Sequence, residues 1–256
     1  MKKKYIIIIS ILLAYVVLMV IIFGTDLFRN KTYIIIGSEE KLKYEKGQYL
    51  DIKASEKSLY QGQKFDIYDT KGHVGKYILK YHKNKWHAFS DNYDFVSLES
   101  PIFAIKTNKK YSVPDYEIEE LNGSDLANLN QMLKEHNIRD YNLSVNQKVT
   151  IDLDNDGKKE TLFAASNLFE DEDADGYFSL VYYTKNNKKI FLKEKYYDIK
   201  DSYKGELYNL TKLIDIKNNG KVEIIITKRC FSMVCDDCSE IYTLKWGKYK
   251  NIRTCE

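Results

Sequence analysis

Proline and glycine are scarce: two and twelve in 256 residues. No Pro/Gly/Ser-rich stretch separates one part of the chain from another, so no flexible linker is expected. Histidine is scarce as well, with four in the chain. None of His73, His82, His87 and His136 belongs to an HExxH motif, although suitable strand pairing would let the first three gather a metal. G-x-S-x-G, P-loop and GxGxxG motifs are missing, so nucleophile-elbow and phosphate-cradle chemistry lack their backbones. A surplus of charge is missing too. Lys+Arg number 40 and Asp+Glu 37, for +3, and Lys2, Lys3 and Lys4 account for the whole difference. Composition therefore gives no support to nucleic-acid binding, which needs bulk positive charge. With 44% hydrophobic and 30% charged residues, wholesale disorder is excluded, and the length allows one or two domains.

The three lysines precede residues 5–24, YIIIISILLAYVVLMVIIFG, which carry no charge. As a helix this run spans roughly 30 Å, the thickness of a bilayer core. A cleaved signal peptide is the alternative, but its apolar region is normally about 7–15 residues, and Ile22-Phe23-Gly24 is a poor cleavage site. The favoured reading is a transmembrane signal-anchor at 5–24. It leaves residues 1–4 as a cytoplasmic tail and places the rest outside the cell membrane by the positive-inside rule.

Beyond the anchor, 22 tyrosines favour strands, so the expected class is mainly β with one short helix. Alternating runs at 33–36, 64–68, 74–81, 85–89 and 103–105 predict a small β barrel or meander, SH3-like, over 30–112, with turns at Gln61-Gly62 and Lys71-Gly72. Leu126, Leu129, Met132 and Leu133 lie at helical spacing and predict a helix at about 124–137, capped by Ser124 or Asp125, within a linker at 113–142. Residues 143–256 repeat internally. Val149–Ile151 leads into Asp152-Leu153-Asp154-Asn155-Asp156-Gly157-Lys158-Lys159-Glu160 and then an apolar run. Sixty-three residues later, Leu213-Ile214 leads into Asp215-Ile216-Lys217-Asn218-Asn219-Gly220-Lys221-Val222-Glu223 and another apolar run. Each unit continues with a longer loop, a strand, a tight turn and a last strand. Two four-stranded antiparallel, blade-like units are expected.

Asp at loop positions 1, 3 and 5, Gly at 6 and an acid at 9 is how a loop wraps a hard cation. Asp152, Asp154, Asp156 and Glu160 supply carboxylates, and the Lys158 carbonyl adds an oxygen. Position 12 is Phe163, so the bidentate glutamate of an EF-hand is missing. In the second loop Lys217 stands at position 3, and a metal-free turn is expected there. At these residues the chain resembles the FG-GAP and VCBS-type repeats of integrin-like β-propellers and related bacterial surface proteins, over about residues 145–256. The resemblance implies a calcium-stabilised extracellular binding module with one structural Ca²⁺. Two units do not close a propeller, so a sandwich-like packing is expected instead. Read without the resemblance, Asn155-Asp156-Gly157 is also simply a good turn.

Glu170, Asp171, Glu172, Asp173 and Asp175 crowd the loop after the first site. They read as a solvated loop or as a partner-binding element, and a bound ion is expected to stiffen the surface around them. Cys230, Cys235, Cys238 and Cys255 lie outside the membrane in this topology, where two disulfides are the default over a zinc or iron–sulfur site. The hairpin expected at 246–248 brings Cys238 to Cys255 and leaves Cys230 for Cys235, one of three connectivities. The function expected is a membrane-anchored binding or adhesion module without catalysis, engaging a cell-envelope glycan or another surface protein. The alternatives are a cell-envelope hydrolase with structural calcium, and an accessory or sensor ectodomain of a membrane complex. Trp86 and Trp246 are candidates for a sugar-stacking surface, with core packing as the plainer role.

Overall fold

The alternating runs of the N-terminal half fold as eight antiparallel strands. They are β1 (Thr32–Ile36), β2 (Glu40–Glu45), β3 (Gln48–Asp51), β4 (Lys64–Asp69), β5 (Gly72–His82), β6 (Lys85–Phe89), β7 (Phe95–Ser97) and β8 (Phe103–Lys106). This is a computed structural model that describes residues 32–36, 40–45, 48–52, 60–82, 85–90, 95–98, 102–107, 113–168, 174–198, 205–230 and 238–253. The run at 5–24 lies outside the described residues. Among those described, no helix is long and apolar enough to cross a membrane.

The first eight strands form one sheet, sheet A, in the order β3-β2-β1-β8-β4-β5-β6-β7. Of the expected barrel or meander, the barrel is therefore corrected, since β3 and β7 are edges and do not pair, and the meander is interrupted where β8 inserts between β1 and β4. The reason lies in how its faces are covered. Ile34, Leu42, Tyr68, Phe103 and Ile105 pack outward against Ile214, Ile216, Ile225 and Ile241 of the C-terminal half. On the opposite face Phe65, Ile67, Leu79, Trp86 and Ala104 form a second cluster. A face buried against another sheet has no need to curl onto itself.

Helix α1 runs Gly123–Lys134, and its cap is Asn122 rather than Ser124 or Asp125. The Asn122 side chain accepts from the Ser124 and Asp125 N–H groups, and Asp125 accepts from the Asn122 N–H in return. This is a reciprocal capping box. The helix ends three residues before the expected position 137, and Asn137 takes a left-handed φ of 60°.

The two repeats are separate four-stranded antiparallel meanders. Sheet B holds β9 (Val145–Ile151), β10 (Glu160–Ser166), β11 (Tyr177–Lys185) and β12 (Lys188–Tyr197). Sheet C holds β13 (Glu206–Ile214), β14 (Glu223–Cys230), β15 (Cys238–Lys245) and β16 (Lys248–Arg253). The sheets face each other, as a sandwich-like packing requires. Leu162, Ala164, Val181 and Tyr183 of B meet Leu210, Leu213, Ile224 and Ile226 of C. The alternate residues Phe163, Ala165, Phe178 and Leu180 turn to α1, through Leu129 and Leu133. Successive side chains point to opposite faces of a strand, so the runs at β10, β11 and β14 are apolar without alternation because both faces are covered. The result is four layers: α1, sheet B, sheet C and sheet A.

Candidate metal centre

The nine-residue segment from Asp152 to Glu160, which joins β9 to the start of β10, is held by its own carboxylates. Asp152 accepts hydrogen bonds from the Asp156 N–H at 3.1 Å and the Gly157 N–H at 2.8 Å. Asp156 Oδ1 accepts from the Lys158 N–H at 2.9 Å. Glu160, buried at the start of β10, reaches back across the base and accepts the Leu153 N–H at 3.0 Å. Asn155 and Gly157 take left-handed φ values of 61° and 82°, conformations that Asn and Gly adopt at little cost. The turn reading and the ligand reading of this segment are therefore not exclusive, since turn formation itself gathers the acids. One oxygen from each of Asp152, Asp154 and Asp156 lies within 4.8 Å of the others, and among the described residues this is the only such convergence of His, Cys, Asp and Glu.

The residue that sequence reasoning missed is Lys185. It ends β11, and the pairing of Thr161 with Thr184 sets it beside Glu160 on the neighbouring strand. Its Nζ donates to Asp154 Oδ2 and lies 3.3 Å from Asp156 Oδ2 and 3.2 Å from Glu160 Oε1. Burial works against the ammonium, but hydrogen bonds to Asp154, Glu160 and Asp156 outweigh it and hold the Lys185 pKa above the ordinary lysine range. The second oxygen of Asp154, Oδ1, is buried without a hydrogen-bond partner. Beside it a cavity of about 10 Å³, lined by Glu160, Tyr183, Leu244 and Tyr249 among others, remains, close to the space one water needs.

The second loop repeats the scaffold bond for bond. Asp215 accepts from Asn219 N–H at 3.0 Å and Gly220 N–H at 2.5 Å, Asn219 from Lys221 N–H at 3.1 Å, and Glu223 from Ile216 N–H at 3.1 Å. Asn218 and Gly220 take the left-handed values of Asn155 and Gly157. The difference is the cation. Lys217 replaces the aspartate at position 3, and its Nζ bonds Glu223 at 2.8 Å and Thr243 at 2.9 Å. The loops also touch. The Val222 N–H donates to the Leu153 carbonyl at 3.0 Å, and the Tyr249 hydroxyl bridges the Leu153 and Val222 carbonyls. A cleft of about 340 Å³ lies beside both, with Asp115, Asp152 and Asp215 on its wall.

The other expected site residues lie elsewhere. Asp175 sits before β11, at the far end of β10 and β11 from the loop, among Ile138, Tyr196 and Tyr197. An ion at 152–160 is therefore a strand's length from Asp175. Glu170, Asp171, Glu172 and Asp173 lie outside the described residues. Cys230 and Cys238 are both disulfide-bonded; Cys235 and Cys255 lie outside the described residues. Trp86 is fully buried, whereas Trp246 is 91% exposed, so the two do not share a stacking surface. His73 bonds Asp66 at 2.9 Å.

The chain matches no family model, no curated protein and no solved structure.

Proposed function

We propose that the chain is a non-catalytic binding module held outside a membrane by residues 5–24, whose first repeat loop takes up one Ca²⁺. Asp152, Asp154, Asp156, Glu160 and the Lys158 carbonyl are the ligands. The observation that carries the reading is the buried Asp154 Oδ1, a carboxyl oxygen with no hydrogen-bond partner on a residue that converges with Asp152 and Asp156. The Lys185 ammonium stands in for the cation in the metal-free state, as Lys217 does permanently in the second loop. Calcium binding is then an exchange, in which a divalent ion replaces a tethered monovalent one. The carboxylates on the cleft wall support a non-catalytic role. Asp152 and Asp215 each hold two backbone N–H groups, which suits loop closure rather than proton transfer. A glycan or protein of the cell envelope is the proposed partner.

Thermal melting of the full chain in millimolar Ca²⁺ and in EGTA tests the metal. The wild type melts higher in Ca²⁺ and Asp154→Ala loses that difference. Equal melting temperatures in the wild type, or an undiminished shift in Asp154→Ala, overturn the assignment.

A further inference from the structure

Beyond Lys4 the chain balances its charges overall, but sorts them at one end of the paired sheets B and C. The loops at 152–160 and 215–223 and the hairpin turns Asn186-Asn187 and Trp246-Gly247 all gather there, as the antiparallel registers require. The acids of this end are turned to internal work. Glu160, Asp215 and Glu223 are buried, and Asp154 and Asp156 pair with Lys185. The lysines are not: Lys158, Lys188, Lys189, Lys245, Lys248 and Lys250 are all exposed.

Among them stands Trp246, 91% exposed at the tip of the β15–β16 hairpin. It adopts a left-handed φ of 51°, the value of its counterpart Asn186 in the other repeat. A two-residue turn of this kind favours Asn or Gly, and a bulky aromatic there is unfavourable for the fold itself. Lys250 Nζ lies 4.7 Å over the ring centroid. An aromatic ring flanked by ammonium groups on a rigid tip matches a membrane interface. Rings of this type settle at headgroup level, and lysines are drawn to anionic lipid.

The path of the chain points the same way. β1 begins at Thr32, which pairs with Tyr44. Tyr44 packs against the cluster that holds Ile214 and Ile216, on either side of Asp215, so the chain enters the fold beside the second loop. Only residues 25–31 separate Thr32 from the apolar run, a reach of at most about 25 Å.

We infer that this basic, Trp-tipped end docks on an anionic bilayer, the one that holds residues 5–24, with Trp246 at headgroup level and the hairpin lysines against lipid phosphate. The inference rests on reading residues 5–24 as an anchor, and its test separates the two. The full chain is reconstituted into phosphatidylcholine vesicles with and without phosphatidylglycerol, with brominated acyl chains as the quencher. Trp86 is buried, so quenching reports Trp246 once the signal of Trp246→Phe is subtracted. The expected result is quenching in the anionic vesicles that falls to the level of the neutral ones in a Lys245→Gln, Lys248→Gln, Lys250→Gln triple variant of unchanged melting temperature. Alkaline extraction of the same vesicles reads the anchor independently. A chain that resists extraction but shows no anionic-lipid quenching overturns the docking and keeps the anchor. An extractable chain that is quenched when re-added to anionic vesicles alone removes the anchor and keeps the docking. Equal quenching in both vesicles overturns the recognition of charge. Trp246 emission that responds to soluble polyphosphate but not to lipid overturns the bilayer and assigns the surface to a soluble polyanion.

Discussion

Replacing Lys185 by Met separates the ammonium from the loop it closes. The methionine keeps most of the stem and removes the charge. Glu160 is 3% exposed and Asp154 16%, so both would be left as buried anions without their cation, whereas Asp156 at 40% is screened by water and matters little. Removing one partner of a buried pair costs about 3–5 kcal/mol. Lys185 is itself 23% exposed and Glu160 keeps the Leu153 N–H, so about 2–3 kcal/mol is the expected loss. For a chain of this size that lowers Tm by roughly 4–12 °C in EGTA. Calcium then restores much of it. At about 10 mM, an ion with Kd near 10⁻⁴–10⁻³ M returns about 1.4–2.7 kcal/mol. The wild type gains less, because the ion must first expel the ammonium. Calorimetry of both proteins at matched ionic strength measures this. A variant within about 0.5 kcal/mol of wild type in EGTA, below the expected range, would show that Lys185 does not close the loop. A wild type that gains as much from calcium as the variant would show that lysine and ion do not compete.

Three further outcomes follow from the same geometry. Gly220→Ala should destabilise more than Gly157→Ala: both have positive φ, but a Cβ at Gly220 comes within 2.5 Å of the Asn155 side chain while one at Gly157 meets nothing. Strain alone is about 1 kcal/mol, and equal denaturation midpoints would refute the loop-to-loop contact. Burial raises the Glu223 pKa above its reference of 4.5, against the lowering effect of Lys217. A carboxyl raised on folding contributes stability below its unfolded pKa and loses it as pH rises through the folded one. The stability of wild type relative to Glu223→Gln should therefore fall from pH 4.5 towards neutrality, as urea midpoints across that range would read; a flat difference removes the argument. Non-reducing peptide mapping should recover Cys238 joined to Cys255 and Cys230 to Cys235. A peptide joining Cys230 to Cys255 refutes that connectivity.

The C-terminal fold was largely legible because its repeat carries its own punctuation. Asn155, Gly157, Asn218 and Gly220 mark two turns that demand left-handed backbone, and the apolar runs after them are too short for helices and lack their period. Lys185 was not legible as part of the site. Its role depends on the β10–β11 register, which is set across a loop whose acids say nothing about pairing. The open shape of sheet A was hidden for a similar reason. Ile34 and Ile105 lie in runs that suit a small barrel or meander, and only their contact with Ile225 and Ile241, more than a hundred residues away, shows that they face another sheet. β2 is among the strands the sequence does not announce: Leu42 and Tyr44 alternate, but lysines and glutamates fill the rest of Glu40–Glu45. Asn122 was overlooked as a cap because Ser124 and Asp125 stood nearer the helical period. The capping box it forms needs both.

Sheet C lies between sheets B and A and is covered by apolar contacts on both faces. This imposes an order of assembly on a chain made from its N-terminus. Sheet A is complete by Lys106, yet apart from the half-buried Val113 the partners of Ile34, Leu42, Phe103 and Ile105 outside it begin only at Ile214. Until more than a hundred further residues have emerged, that face is uncovered and open to association with other chains. Strands β13–β16 therefore act as the closing lamella of sheet A, and a product truncated before β13 is expected to aggregate even though its strands can all pair.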